Sequence, residues 1–143
     1  MYKRILMPVD VFEMDLSDKA VRHAVCLAKE EGATITLVNI LPSSSRSLLR
    51  GFAADIKKFE ASMCAESEKK MAELKRLFDM NPDNIHCRVR FGSVRDEIIN
   101  MSKEEEYDVI VIGSKNPSIT THLLGSNAES VLRYATIPVL VVR

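Results

Sequence analysis

The chain has 143 residues, 46% of them hydrophobic and 28% charged, with 20 lysines and arginines balanced by 20 aspartates and glutamates. That length suits one domain, spanning residues 1–143, that buries about two-thirds of its unfolded surface. The composition excludes a disordered chain, no apolar run reaches the length of a membrane span, and zero net charge leaves no global field to draw nucleic acid or an anionic membrane. Partners have to be argued from local sites.

Five runs rich in branched aliphatic residues recur along the chain: KRILMPV, ATITLVNIL, NIHCRVRF, DVIVIG and IPVLVV. Helical patterns separate most of them, which predicts βαβ units and a parallel sheet. Leu16, Ala20, Ala24, Leu27 and Ala28 repeat at helical spacing before a glycine stop, so the first helix is expected over 16–31. Phe52, Ile56, Phe59, Met63, Met71, Leu74, Leu77 and Phe78 mark a second helix over 51–79, about 40 Å long. In the third run Ile85, Cys87, Val89 and Phe91 alternate with His86, Arg88 and Arg90, the pattern of a half-exposed edge strand. A third helix is predicted after Gly92, with Ser93 and Asp96 as its capping pair, and a fourth after Gly125, with Ser126 and Glu129 in the same roles. The fourth and fifth runs are almost wholly apolar, as strands covered on both faces should be.

The N-terminal apolar stretch runs into Pro8 and Asp10 without a long hydrophobic region or a small-residue cleavage site, so a cytoplasmic location is expected. Cys26, Cys64 and Cys87 are odd in number and widely spaced, the pattern of free thiols and neither a disulfide framework nor a zinc site.

Open parallel sheets take ligands outside the carboxyl ends of their strands, so candidates come from strand-to-helix loops. The stretch from Gly113 to Gly125 is the extended glycine-bearing one. Two glycines allow close approach of backbone, the amides of Ser126, Asn127 and Ala128 lie at the positive end of a helix, and Ser114, Ser126 and Asn127 add short donors. An ordinary capped βα loop explains the same residues. No Walker lysine follows, and the pattern is not that of a dinucleotide fold, which favours binding over phosphotransfer or hydride chemistry. Asp10 suits a ribose, an adenine edge or a metal near phosphates, and equally a helix-entry acid. His122 lies in the loop, and Arg46 and Arg50 lie in a second loop that suits either a lid or a polar linker. His23, Cys26, His86 and Cys87 lack sequence partners for catalysis.

ILMPVDV near the N-terminus and DVIVIGSKNPSITTHLLGSNAESVLRYATIPVLVVR at the C-terminus closely resemble the universal stress protein family, in particular its nucleotide-binding F/G-type branch. The resemblance spans the whole chain. It implies an adenine-nucleotide α-hydrolase-like fold, an open five-stranded parallel sheet of order 3-2-1-4-5 with helices on both faces. It also implies ATP as ligand, alone or with Mg, and a homodimer joined through the last strand at 137–142. Carried over by position, Pro8, Val9 and Asp10 would surround the nucleoside, and Ile40 would offer backbone groups to adenine. Gly113, Ser114, Asn116, Gly125, Ser126 and Asn127 would hold ribose and phosphates.

The family signature reads Gly, two residues, Gly, nine residues, then Gly-Ser or Gly-Thr. Here Asn116 replaces the second glycine and eight residues separate it from Gly125, so binding with altered affinity or pose is expected. The function so implied is a cytoplasmic ATP-binding sensor or signalling dimer in the stress response, with no catalytic residue assigned and no nucleic-acid or membrane partner. Three other readings stay open: a slow ATPase or self-phosphorylating protein, a nucleotide-free interaction module, and a flavodoxin-like or receiver-like order with its crevice elsewhere.

Overall fold

The computed structural model describes residues 1–12, 18–43, 53–114 and 125–143. Strands β1 (Arg4–Pro8), β2 (Thr34–Leu41), β3 (Ile85–Phe91), β4 (Val109–Gly113) and β5 (Val139–Val142) alternate with helices α1 (Asp18–Glu31), α2 (Ala53–Lys75), α3 (Val94–Glu104) and α4 (Ser126–Tyr134). All four strand pairings are parallel, in the order β3-β2-β1-β4-β5. The chain thus has the expected doubly wound sheet, and β3 stands at an edge.

Two apolar layers hold the sheet. Ile5, Met7, Ile35, Leu37, Val109 and Val111 pack on one face against Ala20, Val21, Ala24 and Ala28 of α1 and Met71 of α2. Leu6, Val38, Ile110 and Ile112 pack on the other against Ile98 and Met101 of α3 and Ala128 and Val131 of α4. Each fully buried branched side chain contributes about 1.5–3 kcal/mol relative to exposure. The alanines of α1 let that helix lie close to the sheet. It ends at Gly32, whose φ of 66° is left-handed, and the Ala33 amide then reaches back to the Ala28 carbonyl at 2.8 Å. That bond closes a Schellman turn.

Several boundaries and faces differ from the sequence-based expectation. The first helix starts at Asp18, and residues 16 and 17 lie outside the described residues. α2 ends at Lys75 instead of residue 79, because residues 76–78 tighten into i→i−3 bonds. The α2 residues 54–66 include no buried side chain, and Phe59 is 62% exposed although its spacing predicts a core face. The reason is length: Ser67 already lies beside Asn39, close to the end of β2, so the helix before it has outrun the sheet. Leu77, past the helix end, is exposed as well. In β3, Ile85 is buried but Cys87 is exposed and Val89 and Phe91 are half-buried, so the alternation is weaker than the sequence suggests. Only Val139–Val142 of the final apolar run pairs as strand.

Candidate functional site

The crevice begins with a proline. Flanking β1, Lys3 and Val9 turn their backbone groups toward β2, through Thr34 N–H to Lys3 carbonyl at 3.0 Å and Val9 N–H to Val38 carbonyl at 2.9 Å. The alternate residues face β4, as the Asp108 amide bonded to the Arg4 carbonyl at 2.9 Å shows. By that alternation Pro8 faces β4, and it has no N–H to give. Pairing of β1 with β4 accordingly stops at Leu6↔Ile110, whereas pairing with β2 continues to Pro8↔Val38. β1 and β4 are therefore free to part at their carboxyl ends, where the strand order reverses.

Carrying the two registers forward brings Asp10 level with both Ile40 and Ser114, and Val9 level with Gly113. Five of the predicted residues thus share one end of the sheet with Pro8. Val9 is buried, Asp10 is exposed, and Pro8, Ile40, Gly113 and Ser114 are half-buried. An Asp10 carboxylate oxygen accepts the Phe12 amide at 3.1 Å, an Asx turn that leads the chain off the strand. The Ser114 amide is committed to the Val142 carbonyl at 2.9 Å, so its hydroxyl is the donor left for a ligand.

Gly113 is not a turn glycine. It stands in β4, its φ is not left-handed, and a Cβ built on it meets nothing within 4 Å among the described residues. Nothing among the described residues requires glycine there, and the space left by the absent side chain lies beside the parted strands.

The capping pair expected at Ser126 and Glu129 is absent. Gly125 is the N-cap, with φ −60° and ψ 150° and no side-chain capping bond, and Ser126 is the first helical residue. The reason lies in the backbone: the Gly125 carbonyl already accepts the Glu129 amide at 2.9 Å, which places the cap one residue earlier. The first intrahelical bond therefore belongs to Glu129, and the amides of Ser126, Asn127 and Ala128 precede it, as the first amides of any helix do. Ser126 and Asn127 are exposed, while Ala128 shares a buried cluster with Ile112, which seats the first turn of α4 beside the end of β4. By contrast, the cap predicted for α3 is present, with Ser93 Oγ accepting the Asp96 amide at 3.1 Å.

Asn116, Lys115 and His122, with Arg46 and Arg50 of the other loop, lie outside the described residues. His23 and Cys26 are exposed on α1. Among the described residues no group of three or more His, Cys, Asp or Glu is arranged to hold a metal ion, and no helix is long and apolar enough to cross a membrane.

Sequence reasoning missed the polar supports behind the site. Asn39, buried near the end of β2, donates from Nδ2 to Ser67 Oγ at 2.7 Å and so ties α2 to the strand that carries Ile40. Gly92 follows β3 with φ 146°, its amide bonded to the Leu41 carbonyl at 2.9 Å, and Glu97 packs where its side chain would stand. Glu97 also pairs with Arg90 Nε at 3.2 Å. A lone asparagine in an apolar strand was the available signal for the first, and Gly-Ser before a helix for the second.

These features define a doubly wound, single-domain α/β protein whose strand order reverses between β1 and β4, the position at which such sheets take ligands. The chain belongs to the universal stress protein family, whose model matches residues 1–143. It is 56% identical over 143 residues to universal stress protein G of Salmonella typhimurium strain LT2, covering 100% of both chains. Among solved structures it is similar to the universal stress protein UspA of Lactobacillus plantarum, with a TM-score of 0.78, 21% identity, and coverage of 99% of this chain and 98% of that one. It is also similar to a universal stress protein in complex with cAMP, with a TM-score of 0.64, 22% identity, and coverage of 99% and 97%.

Proposed function

We propose that this chain is an adenine-nucleotide-binding protein of the stress response, taking ATP in the crevice between β1 and β4 and acting in the cytoplasm as a homodimeric sensor or signalling unit. The observation that carries the reading is Gly113, a strand glycine without left-handed φ and, among the described residues, with open space where a side chain would be. A fold with no use for that space gives no reason for glycine; a ligand lying against the backbone does. Gly125 adds to it, because a side chain at that cap is compatible with φ −60° and none is present to occupy the first turn of α4. The cAMP bound by a structural relative supports adenine and phosphate as the ligand chemistry.

In this reading Pro8 and Val9 form the wall under the nucleoside, the Asp10 carboxylate accepts from ribose or base, and Ile40 presents backbone groups to the adenine edge. Gly113, Ser114, Asn116, Gly125, Ser126 and Asn127 surround ribose and phosphates, with the uncommitted amides of α4 as donors to anionic oxygen. Mg accompanies the phosphates if it binds, with Asp10 the nearest carboxylate in the carried-over set. The homodimer forms through β5, an edge strand with one unpaired side.

Titration calorimetry with ATP, ADP and AMP tests the site directly. Stoichiometric binding by the natural chain is expected, with at least a tenfold loss, about 1.4 kcal/mol, in the Gly113→Val, Gly125→Val double variant at unchanged helical content. Equal affinity in the folded double variant would remove the cradle from the reading.

A further inference from the structure

At the opposite end of the sheet from the crevice, an open groove of about 520 Å³ crosses the start of β3. Its lining includes Arg4, Lys75, His86, Arg88, Glu105 and Tyr107, so three permanent cations face one carboxylate. That carboxylate is already engaged. Arg88 Nη1 donates to both Glu105 oxygens, at 2.9 and 3.1 Å, and the Tyr107 hydroxyl donates to Oε2 at 2.8 Å. Arg4 donates to the Glu105 main-chain carbonyl and lies 4.8 Å above the centre of the Tyr107 ring.

These contacts hold two guanidinium groups in place while leaving part of each fork unused, since each carries five N–H donors. Lys75 Nζ and the His86 ring have no hydrogen bond or ion pair among the described residues. The groove therefore combines held guanidinium forks with an ammonium and an imidazole that, among the described residues, make no hydrogen bond or ion pair of their own.

We propose that this groove is a second ligand site, distinct from the nucleotide crevice, that takes a compact phosphate-type dianion. Two charges match the excess of three cations over Glu105, and guanidinium forks suit the paired oxygens of a phosphate. The groove falls within the volume range of small-molecule sites, larger than a free phosphate ion fills, so a phosphate monoester of a small organic molecule fits it best. The ligand enters from the open edge of β3, and binding involves no covalent step.

The test follows the backbone amides of His86, Cys87 and Arg88 in the full chain by NMR. The chain is titrated with phenyl phosphate and, separately, with inorganic phosphate, at ionic strength held constant with sodium chloride. Saturable shifts are expected, with Lys75→Gln weakening binding at least threefold and Lys75→Gln with His86→Gln at least tenfold, while Gly113→Val leaves the shifts unchanged. Tighter binding of phenyl phosphate supports an ester as the ligand; equal binding supports the same site with free phosphate as its source. Shifts that stay linear, that chloride or an acidic peptide reproduces, or that the double variant retains would overturn the proposal. Because these amides lie at the far end of the sheet from Gly113, failure here leaves the crevice untouched, and failure at the crevice leaves this site untouched.

Discussion

The Ser114 amide donates to the Val142 carbonyl at 2.9 Å, which joins the lip of the crevice to the last residue of the edge strand. Ile110 N–H likewise reaches the Pro138 carbonyl at 2.9 Å, so residues 138 and 142 turn toward β4 and, by alternation, 139 and 141 turn to the open edge. Val141→Pro should therefore block pairing through that edge while sparing the ladder to β4. Sedimentation equilibrium is expected to show a dimer for the natural chain and a folded monomer for the variant. A dimer of unchanged affinity would place the interface elsewhere.

Pro8→Ala restores an N–H facing β4, and the ladder then has the donor to continue past Leu6↔Ile110. The added bond is worth about 0.5–1.5 kcal/mol. Thermal stability is expected to hold or rise while nucleotide affinity falls at least fivefold, about 1 kcal/mol, as the strands close. Calorimetry and a melting curve on the same sample separate the two effects; tighter nucleotide binding would contradict the role given to Pro8.

Gly92→Ala places a Cβ 2.8 Å from Glu97 Oε1 on a residue held at φ 146°. The side chain of Glu97 can swing aside, but the backbone conformation cannot be relieved so cheaply, and a loss of about 1–3 kcal/mol is expected. The urea midpoint should fall with little change in slope.

Ser67→Ala leaves the buried Asn39 amide without the partner now at 2.7 Å. A buried donor without a partner costs about 1–3 kcal/mol. Because Ser67 is the first wholly buried residue of α2 past the overhanging half, faster amide exchange along Met71–Lys75 is expected alongside the lower urea midpoint.

Burial pushes the Glu105 carboxyl up, but the Tyr107 hydroxyl and Arg88 outweigh it and hold the group below its ordinary 4.5. A carboxyl whose folded pKa is depressed stabilises the fold above its unfolded value, and that contribution is lost as pH falls through the folded one. Stability measured downward from about pH 4.5 should therefore fall less steeply in Glu105→Gln than in the natural chain. Identical slopes would show that the Arg88 and Tyr107 contacts carry no net preference for the charged form.

The sequence by itself determined the five strands, the parallel class and the edge position of β3, because covered strands need unbroken apolar runs and an edge strand does not. It also marked Gly113, Gly125 and Asp10 as candidates, since glycine and short acids after strands are unusual enough to see. It misplaced the cap of α4 by one residue, because Gly-Ser supports either residue as the cap and only the Glu129 to Gly125 backbone bond decides. It misjudged Phe59, because helical spacing reports a face but not whether a sheet lies beneath it. The parting of β1 from β4 at Pro8 was decided only in three dimensions. A proline in a strand removes one donor, and which neighbouring strand loses it depends on an alternation of backbone direction that no residue pattern records.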